Sequence, residues 1–227
     1  MKDRKRGRWL RIKEKSVMES KYVDEFKREA ENIRDMGFNP YADALYLQVS
    51  NAKERIMGGL HYYLGERAVW LPEYDAIADW LTDNKGRGLL CVGPCGLGKT
   101  LICQNILPMI IHSITRVIPR AATAPEMNRD IDRLLGQRCV IVDDLGTEPA
   151  DTNTYGNRRY PFTELVDDVE RRRSLLIVTT NLRTTHGTDP KTGAAIPSIE
   201  DRYGQRTLDR LRATTRVVVL SGKSLRQ

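Results

Sequence analysis

The feature that most constrains this chain is the octapeptide GPCGLGKT, Gly93 to Thr100, set between two apolar segments. It has the form G-x-x-x-x-G-K-[ST] of a phosphate-binding loop. Gly93, Gly96 and Gly98 permit backbone angles and close approaches that a side chain would block, so successive amides can point at phosphate oxygens. Lys99 can reach the β- and γ-phosphates as a point charge, and the Thr100 hydroxyl can ligate Mg²⁺. The flanks agree with this reading. GLLCV (88–92) is fit for a buried parallel strand, and LICQNILPMII (101–111) continues as an apolar helix whose N-terminus favours anions. The cradle therefore runs through Gly93, Pro94, Cys95, Gly96, Leu97, Gly98, Lys99, Thr100 and Leu101.

A chain of 227 residues is expected to hold one domain of ordinary size and a small appendage. It has no apolar run of about 18 residues and no apolar stretch near its charged N-terminus, so neither a membrane span nor a secretory signal is expected. Cys91, Cys95, Cys103 and Cys139 match no zinc spacing and read as single thiols, which suits a reducing cytoplasm. The net charge is +7, and its location says more than its size. Met1–Lys15 holds eight Lys/Arg against Asp3 and Glu14, so most of the excess sits in this arm. Such an arm either contacts phosphates or is simply solvated. Trp9 within it favours a binding role, since an exposed indole can stack on a base or pack on a partner.

Residues 16–40 read as a polar amphipathic helix stopped by Gly37 and Pro40, and 41–65 as a second helical stretch weakened at Gly58-Gly59. A boundary near residue 66 divides an N-terminal arm and helical partner-binding region (1–66) from the domain with the phosphate loop (67–227). Pro72 opens a helix leading into the strand before that loop. Beyond it, TRVIPRAA suggests an edge strand, because Pro119 cannot donate to a ladder. TAPE (123–126) has capping-box spacing and starts a short helix.

CVIVDDLG follows, a second buried run ending in Asp143-Asp144. In Walker B geometry the first acid holds the metal shell and the second polarises a water aimed at the γ-phosphate. DDLG also fits the D-x-x-G of GTPases, but the Asn-Lys pair needed for a guanine-reading N-K-x-D occurs only at Asn84-Lys85, before the loop. That class is excluded. A third run, SLLIVTTN, ends in Asn181, a residue placed to hold the attacking water or to sense the γ-phosphate. An arginine-studded helix with Arg202, Arg206, Arg210 and Arg212, then a strand over 216–220, close the pattern.

Taken in order, the phosphate loop, VIVDDLG, VTTNL and YGQRTLDRLR resemble the DnaC/DnaI-type helicase loaders and IstB-type transposition ATPases of the AAA+ superfamily, over about residues 67–227. The resemblance implies an α/β fold: a five-stranded parallel sheet flanked by helices, with a small N-terminal helical region and no C-terminal lid. It implies ATP and Mg²⁺ as ligands. Lys99 and Thr100 would form Walker A, Asp143 and Asp144 Walker B, and Asn181 sensor I. Arg210 matches an arginine finger offered to ATP on a neighbouring subunit, with Arg206 as an accessory arginine. Asp144 stands where many AAA+ proteins carry Glu, which implies slower hydrolysis. The stretch between Walker A and Walker B has room for little beyond one strand and one helix, whereas 183–198 forms a longer surface loop.

Two functions fit the resemblance: an ATP-dependent loader that places a replicative helicase on DNA, and a transposition ATPase that assembles on DNA and activates a transposase. Either implies a cytoplasmic protein of bacterial, phage or mobile-element origin that forms homo-oligomers on ATP or partner binding. A nucleotide kinase would leave VTTNL and LDRL without a purpose.

Overall fold

The computed structural model describes residues 21–33, 35–37, 43–154, 157–188 and 193–222. The arm Met1–Lys15 lies outside the described residues. The chain divides into two compact units, Met1–Ala42 and Asp43–Gln227. In the first, residues 21–33 form helix α1, with Tyr22, Val23 and Phe26 exposed.

The second unit is built on a parallel sheet of five strands in the order β2-β3-β6-β1-β7: Arg120–Thr123, Cys139–Leu145, Leu175–Thr180, Gly88–Val92 and Thr215–Val219. This is the five-stranded parallel sheet that the resemblance implies. The three central strands are apolar up to their C-terminal ends, where β3 carries Asp143 and Asp144 and β6 carries Thr179 and Thr180, because both faces are covered. Their residues alternate between two cores. Leu89, Cys91, Ile141 and Ile177 face the side covered by α2 (Ala52–Leu64), α3 (Asp75–Thr82) and α4 (Leu101–Ile106 continuing as Leu107–Thr115). Leu90, Val92, Val140 and Val178 face α5 (Ala124–Arg129), α6 (Pro161–Arg172), α7 (Ile199–Tyr203) and α8 (Gln205–Thr214). TRVIPRAA yields the edge strand β2, and the Thr123–Glu126 capping box is formed in both directions.

Residues 43–66, which the sequence reading placed with the N-terminal region, pack in this unit. Ile56 and Leu60 of α2 are fully buried against the sheet side of the core, each stabilising it by about 2 kcal/mol. Gly59 lets α2 close on α4, since a Cβ there would stand 2.5 Å from Ile106. The expected helix over 41–65 forms only from Ala52. Before it the chain is extended, with Leu45, Leu47 and Val49 buried at every second position. Asn84 holds this stretch like a neighbouring strand: its Oδ1 accepts from Leu47 N at 2.8 Å and its Nδ2 donates to Leu45 O at 3.0 Å.

Two features depart from regular expectation. Helix α4 opens with a π-helical segment, Leu101–Ile106, before continuing as Leu107–Thr115. A two-stranded hairpin, β4 (Thr152–Thr154) and β5 (Asn157–Arg159), follows β3. Among the described residues no helix is long and apolar enough to cross a membrane.

Candidate functional site

Parallel strands present all their C-terminal ends on one side of the sheet, and ligands of open α/β folds gather there. The loop after β1 carries Gly93–Thr100, the end of β3 carries Asp143 and Asp144, and the end of β6 carries Asn181. Because β6 lies between β1 and β3, Asn181 emerges between the phosphate loop and the acidic pair.

Lys99 is buried, and its ammonium is fully engaged. Nζ donates to Gly93 O at 2.7 Å, Pro94 O at 2.8 Å and Asn181 Oδ1 at 2.9 Å. Burial pulls its pKa below the ordinary lysine value, against the opposing charges of Cys95 and Asp144. Asn181 Nδ2 donates in turn to the exposed Cys95 Sγ at 3.3 Å. Thr100 stands at the N-cap of α4, at the mouth of the loop. The loop needs Gly98 for a positional reason: its φ is +74°, and a Cβ would meet Tyr74 Oη at 2.6 Å.

Asp143 is buried, and its Oδ1 accepts a hydrogen bond from Thr179 Oγ1 at 2.6 Å. The same hydroxyl accepts from Asp144 N at 2.9 Å. Asp144 sits at φ +54°, at a register shift between Val142 and Leu145, so the strand turns sharply and leaves its side chain partly exposed. Bulges of this kind re-aim side chains at strand ends. Among the described residues Asp143 makes no ion pair, and a buried carboxylate held by one hydroxyl suits a divalent cation. The oxygen chemistry of the Thr100 hydroxyl and the Asp143 carboxylate suits Mg²⁺.

Arg206 and Arg210 lie elsewhere, on α8. Arg206 is exposed. Arg210 pairs with Asp167, and its Nε lies 3.1 Å from Glu170, both on α6. These acids hold its pKa above the usual arginine value.

Three supporting residues were missed by the sequence reading. Tyr74 is buried below the phosphate loop and donates to Leu97 O at 3.0 Å, with burial pushing its phenol up to about 12. Thr179 joins the two acids. Glu148 is buried; it accepts from Gly146 N at 2.9 Å and from the Tyr203 hydroxyl, tying the turn after β3 to α7. Burial, reinforced by Glu148, keeps Tyr203 protonated far beyond its usual range. No local pattern marks any of the three.

The fold is an α/β fold with a five-stranded parallel sheet, and the motif residues at its strand ends lie side by side. No protein-family model matches the sequence, and no curated protein matches it. Among solved structures the chain is similar to the crystal structure of the DnaC helicase loader, at 16% identity and a TM-score of 0.45, covering 81% of this chain and 100% of that one. It is similar to DnaI at 16% identity and 0.45, covering 83% and 95%. It is also similar to AMPPCP-bound DnaA from Aquifex aeolicus at 11% identity and 0.47, covering 67% and 48%.

Proposed function

We propose that this chain is an ATPase of the helicase-loader type, which binds and hydrolyses ATP at a subunit interface to load a replicative helicase on DNA. The observation that carries the nucleotide site is the convergence of Lys99, Asn181, Asp143 and Asp144 at the ends of three adjacent strands. The loader role rests on the motif order from the phosphate loop to LDRL.

The chemistry asked of each residue follows from its surroundings. Lys99 is held by two loop carbonyls and an amide oxygen, neutral acceptors that phosphate oxygens outbid electrostatically. Releasing Lys99 would free the Asn181 amide, which is then placed to orient a water. Thr100 and Asp143 would hold Mg²⁺, which when bound offsets charge on the phosphates. Asp144, fixed through its backbone by Thr179, is the base that polarises the water. Arg210 would act in trans, so its own site lacks it and assembly supplies it.

The direct test is nucleotide affinity. Lys99→Ala should abolish ATP binding while the fold, followed by circular dichroism and melting temperature, is retained. Unchanged affinity in that variant removes the phosphate-loop assignment.

A further inference from the structure

The opposite edge of the same sheet has its own chemistry. Five short stretches lead into the five strands: residues 82–88, 116–120, 137–139, 170–174 and 212–216. Together they hold ten Lys/Arg and two Asp/Glu. Each strand receives an exposed arginine at its first residue or within three residues before it. In sheet order these are Arg120, Arg138, Arg173, Arg87 and Arg212. Neighbouring strands are spaced about 4.8 Å apart, so the row spans roughly 19 Å.

A structural purpose accounts for part of this charge. Helices α3, α4, α6 and α8 end at the same edge, and each C-terminus contributes about half a negative charge. Arg87 Nη2 donates to the carbonyls of Arg212 and Thr215 near the α8 terminus. Arg172 binds Asp43 and Asp168, Arg171 also binds Asp168, Arg138 lies 4.0 Å from Asp43, and Arg173 has a partner of its own. These contacts engage five of the ten cations, and Lys85, Arg116, Arg120, Arg212 and Arg216 are exposed. An aromatic ring stands among them. Tyr46 is 69% exposed and lies against Gly86, between Lys85 and Arg87 in sequence; a Cβ on that glycine would be 2.8 Å from the ring.

We infer that this N-terminal edge of the sheet is a docking face for single-stranded nucleic acid. Guanidinium forks bind phosphates bidentately, and a row of them follows a backbone. The exposed Tyr46 supplies the stacking platform that distinguishes a single strand from an acidic polypeptide. Strands five residues long separate this face from the phosphate loop by about 16 Å, so binding here does not require ATP chemistry.

The experiment measures affinity of the full chain for a fluorescein-labelled oligothymidylate across a salt series. In Arg120→Gln/Arg138→Gln/Arg212→Gln the slope of log K against log salt should become shallower by about two units, at about 0.7 per lost contact. Tyr46→Ala, a single exposed substitution, should weaken binding roughly tenfold or more and leave the slope unchanged. Melting temperature checks that both variants fold. Unaltered affinity and slope in both variants would overturn the inference. So would polyglutamate binding as tightly as the oligonucleotide and indifferently to Tyr46→Ala, which would make the face a site for an acidic protein.

Discussion

The two ends of one parallel sheet do opposite things with charge. At the C-terminal ends of the strands, charged groups are few, buried and fixed: Lys99 has three acceptors and Asp143 has one hydroxyl. At the N-terminal ends, charged groups are many, long and mostly exposed. Strand polarity makes this sorting natural, because helix N-termini open onto one edge and helix C-termini onto the other. The lesson is one of sensitivity. A buried group with fixed partners is expected to matter singly, whereas exposed cations act through their sum.

The sharpest way to break the comparison is at the acidic pair. Asp144→Asn should keep ATP·Mg²⁺ bound and lower turnover by on the order of a hundredfold or more, the scale of a lost general base. Asp143→Asn should weaken the metal as well, seen as a rise in the Mg²⁺ concentration needed for tight ATP binding. Normal hydrolysis in both variants would make the carboxylates structural.

A smaller effect tests the support beneath the phosphate loop. Tyr74→Phe removes the hydroxyl that holds Leu97 O and should cost about 1 kcal/mol in unfolding free energy. ATP affinity should fall only modestly, because the ring still fills its buried site. No loss of stability would show that the loop holds its shape without that bond.

These contrasts bear on what the sequence can disclose. Strands β1, β3 and β6 were legible because burial on both faces writes an unbroken apolar run. The Thr123–Glu126 cap was legible because both partners lie within one turn. The stretch before Ala52 misled because Tyr46 among Leu45, Leu47 and Val49 blurs the two-residue alternation, and its partner, Asn84, is far along the chain. The hairpin of β4 and β5 is polar throughout and carries no periodic signal. The π-helical opening of α4 left no trace either, since LICQNI is apolar enough for any helical pitch. In the site, Lys99, Asp143, Asp144 and Asn181 belong to linear motifs. Thr179, Tyr74 and Glu148 act on groups that only the fold brings near, as Thr179 does on Asp143 from 36 residues away.

The proposed shared site gives the most direct test of the whole reading. Arg210, held between Asp167 and Glu170 on its own chain, is asked to complete a neighbour's site. Arg210→Ala should bind ATP and hydrolyse it about a thousandfold more slowly or worse. Lys99→Ala should be inactive for want of nucleotide. Hydrolysis is then measured for the two variants mixed at a series of ratios. Activity should return in the mixtures, because some interfaces pair an intact cradle with an intact arginine. No recovery at any ratio, with a wild-type monomer that hydrolyses ATP at full rate, would contradict the shared site.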